Sequence, residues 1–288
     1  MKKIQMMALA VAVILPMSCT KDEPAKDDAK LSTTVTPTDG WQDMTISFGF
    51  GDGASTRATI QEVNLTDLWV FDDAGDGVRM VLHQAAADDG FGSVRLSLKY
   101  GTHALRFVAS RGSEPTVSGE TITWVKPSDT FWAQMPLEVS PSGAVSQQVT
   151  LRRVATRLRI SITDEIPAEA AVLAVMPDVW YYGLDAETGA AVARQHTERT
   201  VAIPASYIGT TGQLTAAFFG LSPVDAWQTD VTVAMKSADG TVLGSVLLED
   251  VGFAQNITTS YSGGLIGAGR SVAMEVDDAW GEENAHEW

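Results

Sequence analysis

The chain has 288 residues, long enough for two domains or one large one. Its 45% hydrophobic and 19% charged content exclude a disordered chain and supply a sizeable core. Lys and Arg number 20 against 36 Asp and Glu, a net charge of −16, which excludes a nucleic-acid binder relying on a basic footprint. One cysteine excludes a disulfide framework and a cysteine-based zinc site, and four scattered histidines leave little for a histidine metal centre.

The amino end reads as a secretory signal. Met1, Lys2 and Lys3 precede the apolar run IQMMALAVAVILPM at 4–17, and Ser18 and Cys19 lead into the polar Thr20, Lys21, Asp22 and Glu23. The run is shorter than the ~20 residues a membrane-spanning helix needs. Cys19 stands where the signal is cut and resembles a lipobox cysteine, which becomes the lipidated mature amino terminus. The motif departs from the usual pattern in placing Pro16 where Leu is expected, with Leu15 one place earlier. The acidic residues after Cys19 resemble a surface-export tag of Bacteroidetes lipoproteins. Cleavage before Cys19 leaves a more acidic chain that does not adhere to anionic lipid, so the acyl chains must anchor it.

The expected organisation is a signal peptide at 1–18, a polar tether at 19–40, an N-terminal β-sandwich at 41–147 and a C-terminal β-sandwich at 148–288. After the tether, short runs rich in Val, Ile, Thr, Phe and Trp alternate with Gly, Asp, Ser and Pro. The predicted strands are Met44–Phe50, Val63–Phe71, Val78–His83, Gly92–Lys99, His103–Ser110, Glu120–Val125 and Ala133–Val139. A long strand, Gln148–Thr163, is expected next, bent by a bulge at Arg152 and Arg153. Then come Ala171–Met176, Thr200–Ile203, Gln213–Phe219, Asp230–Lys236, Thr241–Leu248 and Ser271–Val276. The continuous apolar end of Val63–Phe71 marks a central strand. A short helix is expected near Pro223–Gln228. Strands at this density define an all-β class with two sandwiches of about seven strands each. No internal repeat of fixed period is visible.

No catalytic template is present. There is no G-x-S-x-G elbow, H-E-x-x-H helix, phosphate-binding P-loop or dinucleotide fingerprint. Asp72, Asp73, Asp76 and Gly77 suit a hairpin turn better than a calcium loop, which would need ligands where Ala74 and His83 stand. The arginines at 152, 153, 157 and 159 fit either an anion site or the solvated face of a strand, and the face is the simpler reading. The eight Trp fit either a carbohydrate platform or sandwich core, and their scatter favours core. The reading is therefore a non-enzyme with no cofactor and no metal site.

Several stretches taken in order resemble the fimbrillins of Bacteroidetes, which build type V pili, and their lipoprotein relatives at the pilus base. These are Ser55, Thr56, Arg57 and Ala58, then Val63–Asp72 (VNLTDLWVFD), then Val149–Ile162 (VTLRRVATRLRISI). Glu165–Val192 follows, with Pro167, Glu187, Thr188 and Gly189, and the last stretches are Asn256–Leu265 and Ser271–Trp280. The resemblance implies two transthyretin-like Greek-key sandwiches and a structural role in the fimbrium. It implies a lipid on Cys19 that holds the protein at the outer membrane, exposed on the surface. The implied partners are other fimbrial subunits, met by donor-strand exchange, and a host or bacterial surface ligand. It also implies two branches. A stalk or tip subunit is cut between Arg57 and Ala58 and loses Met44–Phe50. A FimB-like anchor or accessory subunit keeps its first strand and its lipid, and chain length and the Leu151–Ile162 pattern tilt towards this branch. A surface glycan-binding lipoprotein is the reading from another class, and it requires rings such as Trp124, Trp132, Trp180 or Tyr181 to lie exposed on one face.

Overall fold

A computed structural model describes residues 40–51, 60, 63–266, 272–277 and 286–287. Cys19, the expected lipidation residue, and Arg57 and Ala58, the expected processing pair, lie outside them. Among the described residues no helix is long and apolar enough to cross a membrane.

The first sandwich comprises β1 (Trp41–Phe50), β2 (Asp67–Asp73), β3 (Arg79–Ala85), β4 (Val94–Lys99), β5 (Gly101–Ser110), β8 (Thr130–Val139) and β9 (Ser146–Arg153). One sheet runs β9-β1-β4. In it β1 is antiparallel to β4 (Met44 opposite Leu96) and parallel to β9 (Phe48 opposite Val149). The other runs β3-β2-β5-β8, and a short ladder joins β8 to β9 through Phe131 and Arg153. The period-two pattern explains the faces. Met44, Ile46, Phe48 and Phe50 of β1 point inward with Val94, Leu96 and Leu98 of β4, while Arg95, Ser97 and Lys99 point out. The central strand β2 is covered on both faces. Leu68 and Val70 enter the first core, and Trp69 and Phe71 pack on its other side. The strand begins at Asp67, later than expected, because Val63 and Asn64 form a turn with Asn64 at φ 55°.

The second sandwich repeats this plan. Its strands are β10 (Ala155–Ile162), β11 (Ala170–Pro177), β14 (Arg199–Ala202), β15 (Thr215–Leu221), β16 (Trp227–Ser237), β17 (Val242–Phe253) and β18 (Thr258–Gly263). β10 is parallel to β18 and antiparallel to β15, as β1 is to β9 and β4. The facing sheet runs β14-β11-β16-β17, matching β3-β2-β5-β8. The repeat is one of topology and pairing sense, with no counterpart in sequence period. β19 (Val272–Asp277) extends the sheet beyond β18, and the two-residue β20 (His286–Glu287) pairs parallel with β15.

Two insertions distinguish the copies. Hairpin β6 (Ser113–Ser118) and β7 (Thr121–Lys126) lies between β5 and β8, and hairpin β12 (Trp180–Asp185) and β13 (Ala191–Gln195) lies between β11 and β14. They pair with each other, Gly183 opposite Thr123, and so carry the first half of the chain into the second sheet. A third apolar cluster fills this seam, with Trp69, Val108, Trp124, Trp132, Val154, Leu184 and Leu221.

The long strand expected over Gln148–Thr163 is two strands in different sheets. Val154 stands between them: its N–H donates to Thr130 O at 2.9 Å, and its carbonyl accepts the Ser222 N–H at 3.1 Å. The helix expected near Pro223–Gln228 is absent. Trp227 opens β16 instead, and the one helical turn among the described residues is a 3-10 turn at Ala205–Tyr207. Strands β6, β12, β13 and β18 escaped the sequence reading.

Candidate functional site

The strand that the sequence reading places before Arg57, Met44–Phe50, lies within β1. β1 is a central strand, paired with β4 along Trp41–Ile46 and with β9 along Thr45–Phe50. Its four inward side chains are buried in the first core. Ile60, on the far side of Arg57, is buried in the same core. Release of β1 would strip two ladders and leave an apolar trough between β4 and β9.

Two of the four arginines leave the solvated face expected of them, and Arg152 and Arg159 are half-buried. Arg153 and Arg157 are buried, because β9 and β10 turn them into the junction between the sandwiches. Arg153 forks onto the Asp129 carboxylate at 2.6 and 3.1 Å and donates to Asn256 Oδ1 at 2.9 Å. Its guanidinium lies 4.7 Å from the Phe131 ring centroid, and that of Arg152 lies 4.7 Å from Trp132. Arg152 also donates to Gln255, whose amide reaches Gly189 O and Ser222 O. Arg157 donates to Thr258 Oγ1. The cations of Arg152, Arg153 and Arg157 are committed to side chains and rings of both halves.

The rings required for a carbohydrate platform are inside. Trp124, Trp132 and Trp180 are buried, and Tyr181 is half-buried. The Trp132 indole donates to Ala186 O at 2.8 Å and the Trp180 indole to Phe219 O at 3.0 Å. Asp73 Oδ1 accepts the N–H groups of Gly75 and Gly77, fixing a hairpin turn in place of a calcium loop. Buried His103 contacts Asp72 through Nδ1 at 2.9 Å and Lys99 O through Nε2 at 2.8 Å, a clamp between β5, β2 and the end of β4. His83 stacks on Trp69 and bonds Asp67.

The sheet edges differ between the copies. Among the described residues β3 pairs only with β2 and β4 only with β1, and a cleft of about 650 Å³ separates these two edges. Leu82, Leu96 and Leu98 line its floor, and Arg79, Arg95 and Lys99 its rim. In the second sandwich the corresponding gap, between β14 and β15, is plugged by β12. Trp180 and Tyr182 enter that core, and Arg199 of β14 lies 3.8 Å over the Tyr182 ring. Burial pushes the Arg199 guanidinium down to about 10, so it remains a cation at neutral pH. The open cleft was not found from sequence, because an edge strand and an inner strand share one alternation. The basic residues Arg95 and Lys99 on Val94–Lys99 were the available signal.

These observations define an all-β sandwich protein. No protein-family model matches the chain, and no curated protein sequence matches it. Solved structures do match. One, from Bacteroides ovatus and described as a "putative cell adhesion protein", gives a TM-score of 0.52 at 13% identity over 85% of this chain and 100% of its own. Another, from Bacteroides thetaiotaomicron and described among "putative polysaccharide binding proteins", gives 0.52 at 9% identity over 85% and 100%. A third from the same species, a "putative adhesin", gives 0.50 at 9% over 85% and 98%. The likeness shows a shared fold, the all-β sandwich class that the sequence leads one to expect.

Proposed function

We propose that the protein is a non-enzymatic component of a fimbrium, held at the outer membrane by a lipid on Cys19 and joined to other subunits by β-strand addition. The observation that carries this reading is the position of β1. It is the first strand among the described residues, it is central in its sheet, and in sequence it follows the segment that leads back to Cys19. Kept in place, it ties the lipid anchor into the first core, as a base or accessory subunit requires. Released by cleavage after Arg57, it would leave the trough between β4 and β9 for a donor strand, as a polymerising stalk or tip subunit requires. The base or accessory role is preferred. The adhesive and polysaccharide-binding descriptions of the structural relatives support a surface role, and the burial of Trp124, Trp132 and Trp180 weighs against a glycan platform on those rings.

Intact mass and amino-terminal identity of the protein from native cells test this. A chain beginning at acylated Cys19, unchanged by Arg57→Ala, is the expected result for an anchor. A chain beginning at Ala58, lost on Arg57→Ala, would replace the anchor with the stalk or tip role. An unlipidated start elsewhere would remove the premise both share.

A further inference from the structure

We propose that buried His103 and Asp72 form a proton-dependent lock on the corner between β4 and β5, closed while the imidazole carries both of its protons and released when it gives one up. The lock sets how firmly β4 grips the amino end of β1. It stands or falls independently of lipidation, of cleavage at Arg57 and of strand addition.

The hydrogen-bond inventory fixes the protons. His103 is 4% exposed and Asp72 2%. Nδ1 of the ring lies 3.0 and 2.9 Å from the two Asp72 carboxylate oxygens, and Nε2 lies 2.8 Å from Lys99 O. A carbonyl oxygen can only accept a hydrogen bond, and so can an ionised carboxylate. A neutral imidazole has one N–H and serves only one of them. Both contacts together need the imidazolium, which sets a buried cation beside a buried carboxylate. Loss of the Nδ1 proton turns a ring lone pair towards Asp72, and loss of the Nε2 proton turns one towards Lys99 O. Either way two buried acceptors face each other. Among the described residues the Asp72 carboxylate has no other hydrogen-bond or ion-pair partner to take over. The closed corner binds a proton that the open corner gives up, so opening is favoured as pH rises.

The lock sits where β1 enters its sheet. Asp72 belongs to β2 and His103 to β5, while Lys99 ends β4 on the facing layer. Tyr100, at the corner, donates its N–H to Gly40 O at 2.8 Å, and Trp41 stands opposite Lys99. The second sandwich closes its equivalent corner, between β15 and β16, without a titratable group: the Trp227 indole donates to Ser222 Oγ at 3.1 Å. The charged side chains around the lock are Asp76, Arg79, Arg95 and Lys99 in the adjoining cleft, Asp73 at the end of β2 and Glu138 on β8. Asp76 pairs with Arg79, Asp73 accepts the N–H groups of Gly75 and Gly77, and Glu138 accepts the Thr102 hydroxyl. The residue opposite His103 on β8 is the apolar Leu137. Among the described residues only Asp72 and Lys99 O are bonded to the ring.

The test joins two readouts on the full chain. Nitrogen NMR shifts of the ring are expected to show both His103 nitrogens protonated at neutral pH, and one proton leaving as pH is raised while the fold persists. Hydrogen exchange of the Tyr100 amide, corrected for the intrinsic dependence of exchange on pH, is expected to quicken about tenfold as that proton leaves, the size of one lost charge-assisted hydrogen bond. Asp72→Asn is the control. Its carboxamide can donate to Nδ1 of a neutral ring and leave Nε2–H for Lys99 O. This variant is expected to keep the corner closed and to remove the pH dependence. The proposal is overturned if the folded parent holds a ring lacking one proton at neutral pH, or if the ring keeps both until the whole chain unfolds. It is overturned equally if Tyr100 exchange is unmoved as the ring titrates, or if the pH dependence survives Asp72→Asn. Amides of β16 and β17 are expected to be unaffected, and a parallel change there would overturn the lock in favour of a loosening of the whole fold.

Discussion

Among the described residues the second sandwich seals its flank and the first leaves it open, although both follow one strand plan. The difference traces to where each copy carries its insertion. In the second, β12 and β13 arise between the equivalents of β2 and β3 and turn back into their own core through Trp180 and Tyr182. In the first, β6 and β7 arise between β5 and β8 and reach away to pair with β12. One insertion completes a core and the other builds a junction. A sandwich of this topology has a gap between these edges, and among the described residues the first copy leaves it unfilled.

The largest test of this comparison is a pair of tryptophan truncations. Trp180→Ala is expected to cost ~3–5 kcal/mol by emptying the plug of the second core. Trp41→Ala, on a ring 67% exposed beside the open cleft, is expected to stay within about 0.5 kcal/mol. Urea unfolding of both variants checks this, and equal effects would break the contrast. Next in size is the ion pair at the junction. Arg153→Ala strands the buried Asp129 carboxylate and is expected to cost ~3–5 kcal/mol, with less loss when both residues are replaced by apolar ones of similar volume. Calorimetry is expected to show the halves unfolding together in the parent and in separate steps in the single variant.

A smaller effect is expected from Gly189→Ala. Gly189 has φ +68°, and a Cβ there would lie 2.6 Å from the Trp132 ring, so the substitution strains the seam by ~1–3 kcal/mol. Thermal melts measure it, and a neutral outcome would show that the Trp132 packing yields easily. The smallest concerns the β16–β17 turn, the counterpart of the site where the first copy inserts β6 and β7. The Ser237 hydroxyl and the Thr241 N–H lower the Asp239 carboxyl to about 2 from 3.8. Its folded-state value is depressed, so its contribution is present above pH 3.8 and is lost as pH falls through about 2. The melting difference between the parent and Asp239→Ala is expected to be small at neutral pH and to vanish below that range.

Much of the first core was legible because its strands alternate. Met44, Ile46, Phe48 and Phe50, and Val94, Leu96 and Leu98, read directly as inner faces. The central place of Val63–Phe71 was legible from its unbroken apolar end. The break at Val154 was not, since a change of sheet leaves no mark when apolar alternation continues on both sides. The arginines misled for a related reason. Arg153 and Arg157 alternate with apolar residues as surface cations do, and only the partners Asp129, Asn256 and Thr258, remote in sequence, make them interior. β12 and β13 were missed because Gly183, Asp185 and Gly189 read as loop. Gly183 is in fact strand, and a Cβ on it would lie 3.0 Å from the Thr123 side chain of β7 and 3.1 Å from that of Ala193.

The pairing of β1 has a mechanical consequence. The strand is antiparallel to β4 and parallel to β9, and its hydrogen bonds run across its axis on both sides. A pull on its amino end along that axis loads those bonds together in shear, so that many must fail at once, whereas a pull across the axis would peel them one by one. β9 continues through Val154 into β10, which is again parallel to its neighbour β18. Traction at Gly40 can thus pass from one core to the next through a nearly continuous run of chain, with the Arg153 and Asp129 pair bracing the step between them.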